Sequence, residues 1–303
     1  MASPSWPFGV YPPGGLARLS PHVVAYYAAA GPVSNSAIVQ GSEATLVFDP
    51  NVIRFARTLR AAVDAADGPP LRDLVISHSH SDHAYGIAHF VPPAEAWTRR
   101  YVRDRLEYWS VEGLARHAEE YREYGEEFAA EMLSAHAVVP QHVVEDQTTI
   151  DLGGGVRVLL RPEAEAHTVG DLWAIVEPDG VVLCGDLWFN DCEPYFGHGS
   201  LAGSLVALRH LREAGGTTYL PGHGLAAPLP ASDADRMERL IHWMIDELSE
   251  GLARGLRGDR LKHEIRAAFE AQRAAPRGID FASRWPEFLE DGVEKAEADV
   301  AEA

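Results

Sequence analysis

The segment 78–83, with the sequence His-Ser-His-Ser-Asp-His, is the part of this chain best equipped for chemistry. It places three imidazoles and one carboxylate within six residues, directly after the apolar run Leu74-Val75-Ile76. Imidazole nitrogen and carboxylate oxygen are the ligands that borderline divalent metals such as zinc prefer. If the strand continued, His78, His80 and Asp82 would share one face, whereas a turn would direct all four side chains, including His83, to one point. The segment therefore predicts a divalent metal site.

Three single residues follow other predicted strands. His167 lies between two predicted strands, Asp186 directly follows a run of apolar residues, and His223 follows the predicted strand Thr217–Leu220. Loops at the C-terminal ends of strands are where α/β folds place their sites. We therefore expect these three residues to belong to the same site.

Together with Asp49 at the end of an earlier predicted strand, these residues resemble the motifs of the metallo-β-lactamase-fold superfamily. The resemblance runs from about Val33 to Gly224 and includes the five usual motifs in order: Asp49, the segment 78–83, His167, Asp186 and His223. It implies a fold of the α/β (α+β) class, a four-layer αββα sandwich with two similar halves and the metals at one edge of the sheets. Strand-rich and helical stretches that occur twice along the chain agree with this architecture.

Carried over residue by residue, the resemblance implies two metal positions and one supporting carboxylate. The first metal would be held by His78, His80 and His167, the second by Asp82, His83 and His223, with Asp186 bridging both and Asp49 hydrogen-bonded to the ligand loop. Each position holds the residue type that the family pattern requires, which favours an active enzyme.

The implied cofactor is a pair of divalent metal ions, for which we expect zinc, with manganese and iron as alternatives. Two cations lower the pKa of a bridging water toward about 7, which provides hydroxide as the nucleophile. Asp186 would lie between the two charges, and Asp82 would orient the hydroxide with its second oxygen. These two residues are therefore the candidate catalytic residues. We expect a small-molecule substrate that contains a carboxylic ester, thioester or lactone bond.

The aromatic neighbourhood of Asp186 suits an organic acyl group. Trp188, Tyr195 and the nearby His198 follow Asp186 and are candidate substrate contacts. The segment Val169-Gly170-Asp171 stands where the glyoxalase II family has Pro-Gly-His, so the chain departs from that family.

Three other functions fit the same ligands. Enzymes of the same fold hydrolyse β-lactams, and hydrolysis of a β-lactam or another C–N bond is one alternative. Iron in these ligands would indicate a di-iron oxidase or oxygenase, because histidine and aspartate suit iron as well as zinc. A protein that keeps the metal without turnover would be a sensor. The fold alone does not choose among these functions.

Charge and composition restrict the partners. The formal net charge is −19, from 26 basic and 45 acidic residues, which argues against nucleic acid or an anionic membrane surface. The two cysteines, Cys184 and Cys192, do not form a disulfide framework. The sequence shows neither a basic and apolar leader nor a run of eighteen apolar residues, so we expect a cytoplasmic protein.

The chain is predicted to divide into two parts. Residues 1–230 would form the catalytic domain, with a helical insert at about 94–137, and residues 231–303 a helical C-terminal extension. Aromatic residues of the insert would pack its helices together or form a substrate lid. The extension would cover the sandwich or pair two subunits in a homodimer.

Overall fold

Two β-sheets form the centre of the protein. The structure, a computed structural model, describes residues 15–27, 34–107, 111–120, 122, 125–135, 138–190, 194–224, 229–273 and 287–302. Among the described helices, none combines the length and the apolar character that crossing a membrane requires.

The first sheet holds seven strands, which lie side by side in chain order. They are β1 Gly15–Arg18, β2 Val23–Tyr27, β3 Ser36–Gln40, β4 Thr45–Phe48, β5 Leu71–Val75, β6 Glu95–Thr98 and β7 His142–Val143. The pairs from β1 to β4 are antiparallel, and those from β4 to β7 are parallel. Because β4, β5 and β6 are parallel, their C-terminal ends meet at one edge of the sheet, where Asp49 and the segment 78–83 follow.

The second sheet holds five strands in the order β12-β11-β10-β9-β8. They are β8 Thr148–Asp151, β9 Arg157–Pro162, β10 Leu172–Glu177, β11 Val181–Asn190 and β12 Thr218–Gly224. β11 and β12 are parallel, and the other neighbours are antiparallel. The parallel pair carries Asp186 and His223.

Helices cover the outer face of each sheet. They are α1 Ile53–Ala65, α2 Ser81–Ala84, α3 Arg100–Glu107, α4 Val111–Glu120, α5 Glu126–Met132, α6 Leu201–Glu213, α7 Asp235–Ala253, α8 Gly258–Arg273 and α9 Glu287–Glu302. Helices α1 and α3 to α5 share an apolar core with the first sheet, and α6 to α9 share another with the second.

Alternating side chains separate the layers. Leu46 and Phe48 of β4 face the core between the sheets, whereas Val47 faces the helices. In β11, Leu183 likewise faces the central core and Val182 faces the outer helices. This period of two is what a strand buried on both faces requires. The four-layer αββα sandwich predicted from the family resemblance is confirmed.

Two sequence predictions of local structure need correction. The segment 94–137, predicted as a helical insert, begins with strand β6, because Ala96 and Thr98 are fully buried within the first sheet. The strand expected to end before Asp186 continues to Asn190, and every residue of β11 is buried. Asp186 therefore lies within a strand and not in the loop after it. The division of the chain at position 230 stays a prediction.

Helix α6 supports the backbone that precedes His167. Ser200 caps this helix by accepting a hydrogen bond from the Gly203 amide at 3.2 Å, and the Ser200 amide donates to the Ala166 carbonyl at 2.7 Å. A Cβ added at Gly203 would lie 1.8 Å from the carbonyl oxygen of Glu165. The helix thus approaches this loop more closely than any side chain at position 203 permits.

We predict that Gly203→Ala lowers the free energy of unfolding by about 1–3 kcal/mol, because the helix and the loop must move apart. The sign of the change in unfolding free energy is informative, since alanine normally stabilises a helix interior by about 1 kcal/mol relative to glycine. Urea denaturation followed by circular dichroism measures the change. Gly15→Ala, at the start of β1, is the control for a glycine without a steric conflict, because the nearest atom to its added Cβ is 3.9 Å away. A stabilised Gly203→Ala variant would contradict the close approach.

Candidate metal centre

The polypeptide turns sharply where the first sheet ends. Strand β5 stops at Val75, and the short helix α2 begins at Ser81. The strand therefore does not continue through the motif. His80 stands directly before α2 and has an extended backbone. A turn, and not a continued strand, therefore directs the four potential ligands of segment 78–83 toward one region.

Seven potential ligand residues meet at this edge of the sandwich and form two groups. Within each group the ligand atoms lie within 4.8 Å of one another. The first ligand group is His78, His80, His167 and Asp186, and the second ligand group is Asp82, His83 and His223.

The first ligand group is compact. The Nδ1 atom of His80 lies 2.9 Å from Nε2 of His167, and that Nε2 lies 3.2 Å from Oδ2 of Asp186. The Nε2 atom of His78 is 3.6 Å from the same oxygen. His167 donates its Nδ1 proton to the Tyr195 carbonyl at 3.1 Å, which leaves Nε2 as the free lone pair.

The second ligand group adjoins the first. Oδ2 of Asp82 lies 3.0 Å from Nε2 of His223 and 3.6 Å from Nε2 of His83. The two imidazole nitrogens are 3.4 Å apart. Asp186 connects the groups, since its Oδ1 is 3.0 Å from Nε2 of His83 and its Oδ2 is 3.4 Å from Nε2 of His223. A carboxylate in this position can bridge two cations.

Unsatisfied ligand atoms indicate that the residues fit a metal. Nε2 of His78 is buried and has no hydrogen-bond partner among the described residues. A buried nitrogen without a partner costs about 1–3 kcal/mol, and a cation removes that cost by accepting the lone pair. The donor set of imidazole nitrogen and carboxylate oxygen is the one that zinc, iron and manganese bind.

The electrostatics of the cluster also favour positive charge. Burial and the neighbouring imidazoles hold the pKa of His78 and of His80 well below the usual histidine value, so both side chains are neutral. Burial opposes a charge on His223 as well, but Asp186 and Asp82 outweigh it and raise the pKa of His223 to about 9. Burial likewise opposes the charge of Asp186, yet the surrounding histidines hold its pKa well below the usual aspartate value. A metal-free cluster therefore holds protons where cations would bind.

Asp49 lies beneath the motif and holds it in place. Its fully buried carboxylate accepts hydrogen bonds from the Ser77 amide at 2.7 Å and from the Ser77 hydroxyl at 2.8 Å. It also accepts one from Nδ1 of His83 at 2.8 Å. Because Nδ1 of His83 carries that proton, Nε2 is left to face Asp82 and Asp186.

Asp171 performs a comparable task for His167 and was not predicted from the sequence as a site residue. Its buried carboxylate accepts hydrogen bonds from the amides of His167 and Thr168, each at 2.9 Å, and from the Thr168 hydroxyl at 2.6 Å. Burial raises the pKa of Asp171 to about 6. The spacing of Thr168 and Asp171 is the available signal, since short polar side chains often bond to nearby backbone.

Of the three candidate substrate contacts, two lie beside the ligand cluster and one does not. The Tyr195 ring lies 5.5 Å from the His80 ring, and Nδ1 of His198 is 2.8 Å from Nε2 of His80. Trp188 is not brought to the cluster: its side chain is 1% exposed within the outer core of the second sheet. Phe189 faces the cluster instead and stacks on His223 with ring centroids 5.1 Å apart.

An irregularity in the backbone of β11 explains why Phe189, and not Trp188, faces the cluster. Strict alternation from Asp186 would place Trp188 on the same face, but the pairing of β11 with β12 shifts register between Gly185 and Phe189. Such an irregularity reverses the alternation beyond it. Cys192 and the insert aromatics Tyr108, Trp109, Tyr121 and Tyr124 lie outside the described residues, so the lid hypothesis stays a prediction.

Comparisons with known proteins agree with this geometry. The sequence model of the Metallo-beta-lactamase superfamily matches residues 30–223, which is more than half of the chain. The chain therefore belongs to the metallo-beta-lactamase superfamily. No curated protein sequence matches the chain.

Solved structures share the fold at low sequence identity. A metallo-beta-lactamase from Pontibacter korlensis has a TM-score of 0.56 and 16% identity, covering 76% of this chain and 99% of its own. The metallo-beta-lactamase IND-7 has a TM-score of 0.57 and 13% identity, covering 76% and 98%. The stereoselective inverting sec-alkylsulfatase Pisa1 from Pseudomonas sp. has a TM-score of 0.69 and 13% identity, covering 93% of this chain and 50% of its own.

We predict that His78→Ala binds about one metal ion in place of two, because only the first ligand group loses a donor. Asp186→Asn should weaken the binding of both metal ions, since the carboxylate contacts both ligand groups. Elemental analysis after dialysis measures the stoichiometry, and circular dichroism verifies the fold. His142→Ala is the control, because His142 stacks on Trp97 and belongs to neither ligand group. Unchanged metal content in both variants would contradict the assignment.

We also predict that Asp49→Asn lowers metal affinity roughly 10–100-fold, because the amide does not reproduce the acceptor pattern that orients His83. Zinc competition with a chromophoric chelator measures the affinity. Asp104→Asn, on the exposed face of α3, is a matched control. Equal affinities in the two variants would show that Asp49 does not position the ligands.

Proposed function

We propose that this protein is a binuclear metal-dependent hydrolase that cleaves a carboxylic ester, thioester or lactone bond in a small molecule. The observation that carries the proposal is the position of Asp186, which contacts histidines of both ligand groups within 3.0–3.4 Å. Two groups joined by one carboxylate are what a two-metal hydrolytic site requires.

When bound, divalent cations supply Lewis acidity, lowering the pKa of a water and polarising the bond to be cleaved. The two acidic residues of the centre then have different tasks. The Asp186 side chain is 3% exposed and enclosed by histidines, so it holds the centre together. The Asp82 side chain is 13% exposed, so it can reach a water at the mouth of the site.

Asp82 is therefore the candidate group for moving the proton. As the oxygen of water forms a bond to the carbonyl carbon, Asp82 accepts a proton of that water. The bond to the alcohol or thiol breaks, and the proton passes to the leaving group. The products are a carboxylic acid and an alcohol or thiol, so that atoms and charge balance.

Apolar side chains beside the centre support an acyl substrate. Val169, two residues after His167, is 49% exposed although it is apolar. The half-buried Tyr195 ring lies next to His80, and Phe189 stacks on His223. Val169 and Tyr195 offer an organic group apolar contact, whereas Phe189 is 3% exposed and supports His223 from the protein interior.

Sulfate-ester hydrolysis is the second candidate function. The sec-alkylsulfatase structure covers 93% of this chain and therefore extends into the helices after position 230, whereas the two metallo-beta-lactamases each cover 76%. This longer similarity supports a related bond class, an alkyl sulfate in place of a carboxylic ester.

A substrate panel tests the proposal. We expect turnover of aryl esters, acyl thioesters or lactones that depends on added zinc, manganese or iron and ends with a chelator. Asp82→Asn should lose at least about 100-fold of that rate, the lower range for a positioned acid–base group, while His142→Ala keeps it. Turnover of an alkyl sulfate alone would favour the second candidate. Turnover of phosphodiesters alone would contradict both candidate functions.

The same panel covers the remaining alternatives. Cleavage of a β-lactam without ester cleavage would favour C–N hydrolysis. Iron in the purified protein together with consumption of dioxygen would favour an oxidase or oxygenase. Full metal content with no turnover of any substrate would favour a sensor.

A further inference from the structure

His80 is the one histidine of the first ligand group whose two ring nitrogens both face other imidazoles among the described residues. Its Nδ1 lies 2.9 Å from Nε2 of His167, and its Nε2 lies 2.8 Å from Nδ1 of His198. The rings of His80 and His198 have centroids 5.1 Å apart. His198 is exposed and belongs to neither ligand group.

The requirement of metal ligation assigns the ring proton of His80. A metal ligand must present an unprotonated nitrogen, and Nδ1 of His80 is the nitrogen that faces the first ligand group. The proton of neutral His80 is therefore on Nε2, which donates to Nδ1 of His198. A ligating histidine generally donates its other N–H to a partner, and that partner fixes its tautomer and orientation.

The segment Tyr195–Ser200 holds His198 against the first ligand group. The Tyr195 carbonyl accepts the Nδ1 proton of His167 at 3.1 Å, and the Ser200 amide donates to Ala166 at 2.7 Å. A Cβ added at Gly199 would lie 1.9 Å from the Ala166 carbonyl, so the segment passes directly over the loop that carries His167. One stretch of backbone thus supports two ligands of the same group, His167 through Tyr195 and His80 through His198.

We propose that His198 is a positioning residue that orients His80 by accepting its Nε2 proton, and that it thereby sets the affinity of the first ligand group for its metal ion. This inference rests on the proposed metal-dependent function. It assigns His198 to the support of a ligand, in place of the substrate contact expected from the sequence.

The support is specific to one of the two groups. His83 of the second ligand group is oriented by Asp49, which directly follows β4. Loss of His198 therefore leaves the orientation of the second ligand group unchanged. A general effect on the fold would weaken both groups together, so the two explanations predict different metal titrations.

The test uses the full-length metal-free protein, titrated with zinc in competition with a chromophoric chelator. For His198→Ala we expect one of the two affinities to fall roughly 10–100-fold, while the other changes little. His198→Asn should restore most of the lost affinity, because its Oδ1 accepts a hydrogen bond at nearly the position of Nδ1. His142→Ala should match the unsubstituted protein.

Three outcomes would overturn the proposal. Unchanged affinities together with a raised KM would make His198 a substrate contact. An equal fall of both affinities, with a lower free energy of unfolding, would make its role structural. An affinity that His198→Asn does not restore would exclude the acceptor role. Because zinc binding is measured without a substrate, failure of the proposed hydrolase activity is distinguishable from failure of this inference.

Discussion

The burial of one carboxylate among imidazoles is the constraint on which the rest of the structure depends. Asp186 contacts His83, His167 and His223 while its side chain is 3% exposed. An ionised carboxylate is costly to bury unless positive charge surrounds it. The raised pKa of His223 and the lowered pKa of Asp186 both express that requirement. Divalent cations meet it more completely than protons, because each carries two charges and binds nitrogen and oxygen together.

Glycine makes this arrangement sterically possible. A Cβ at Gly222 would lie 2.0 Å from Oδ1 of Asp186, so β12 approaches the carboxylate more closely than a side chain permits. Gly185 has a φ of +54° at the point where the pairing of β11 shifts register. These two positions allow parallel strands to bring Asp186 and His223 together at the edge of the second sheet.

The metal centre depends on the assembled sandwich, since its ligands come from both sheets. The segment 78–83 follows β5 of the first sheet. Asp186 and His223 lie in strands of the second sheet, and His167 lies in the loop between its strands β9 and β10. The supporting residues are divided in the same way. Asp49 orients the motif from the first sheet, whereas Asp171 and the segment Tyr195–Ser200 hold the His167 loop from the second. Folding and the capacity to bind metal are therefore coupled.

The sequence by itself determined that the segment 78–83 is a candidate metal site, because the spacing of its ligands is a local property. The layered fold and the full set of seven potential ligands were implied by the resemblance to the metallo-β-lactamase-fold superfamily. The sequence did not determine that β11 continues past Asp186, that Phe189 replaces Trp188 beside the ligands, or that β6 opens the insert. Nor did it identify Asp171 or the contact of His198 with His80. Register shifts and hydrogen bonds between distant segments depend on which strands and loops pack together. Only the tertiary structure decides that, since the pattern around a residue reports on its own strand or turn.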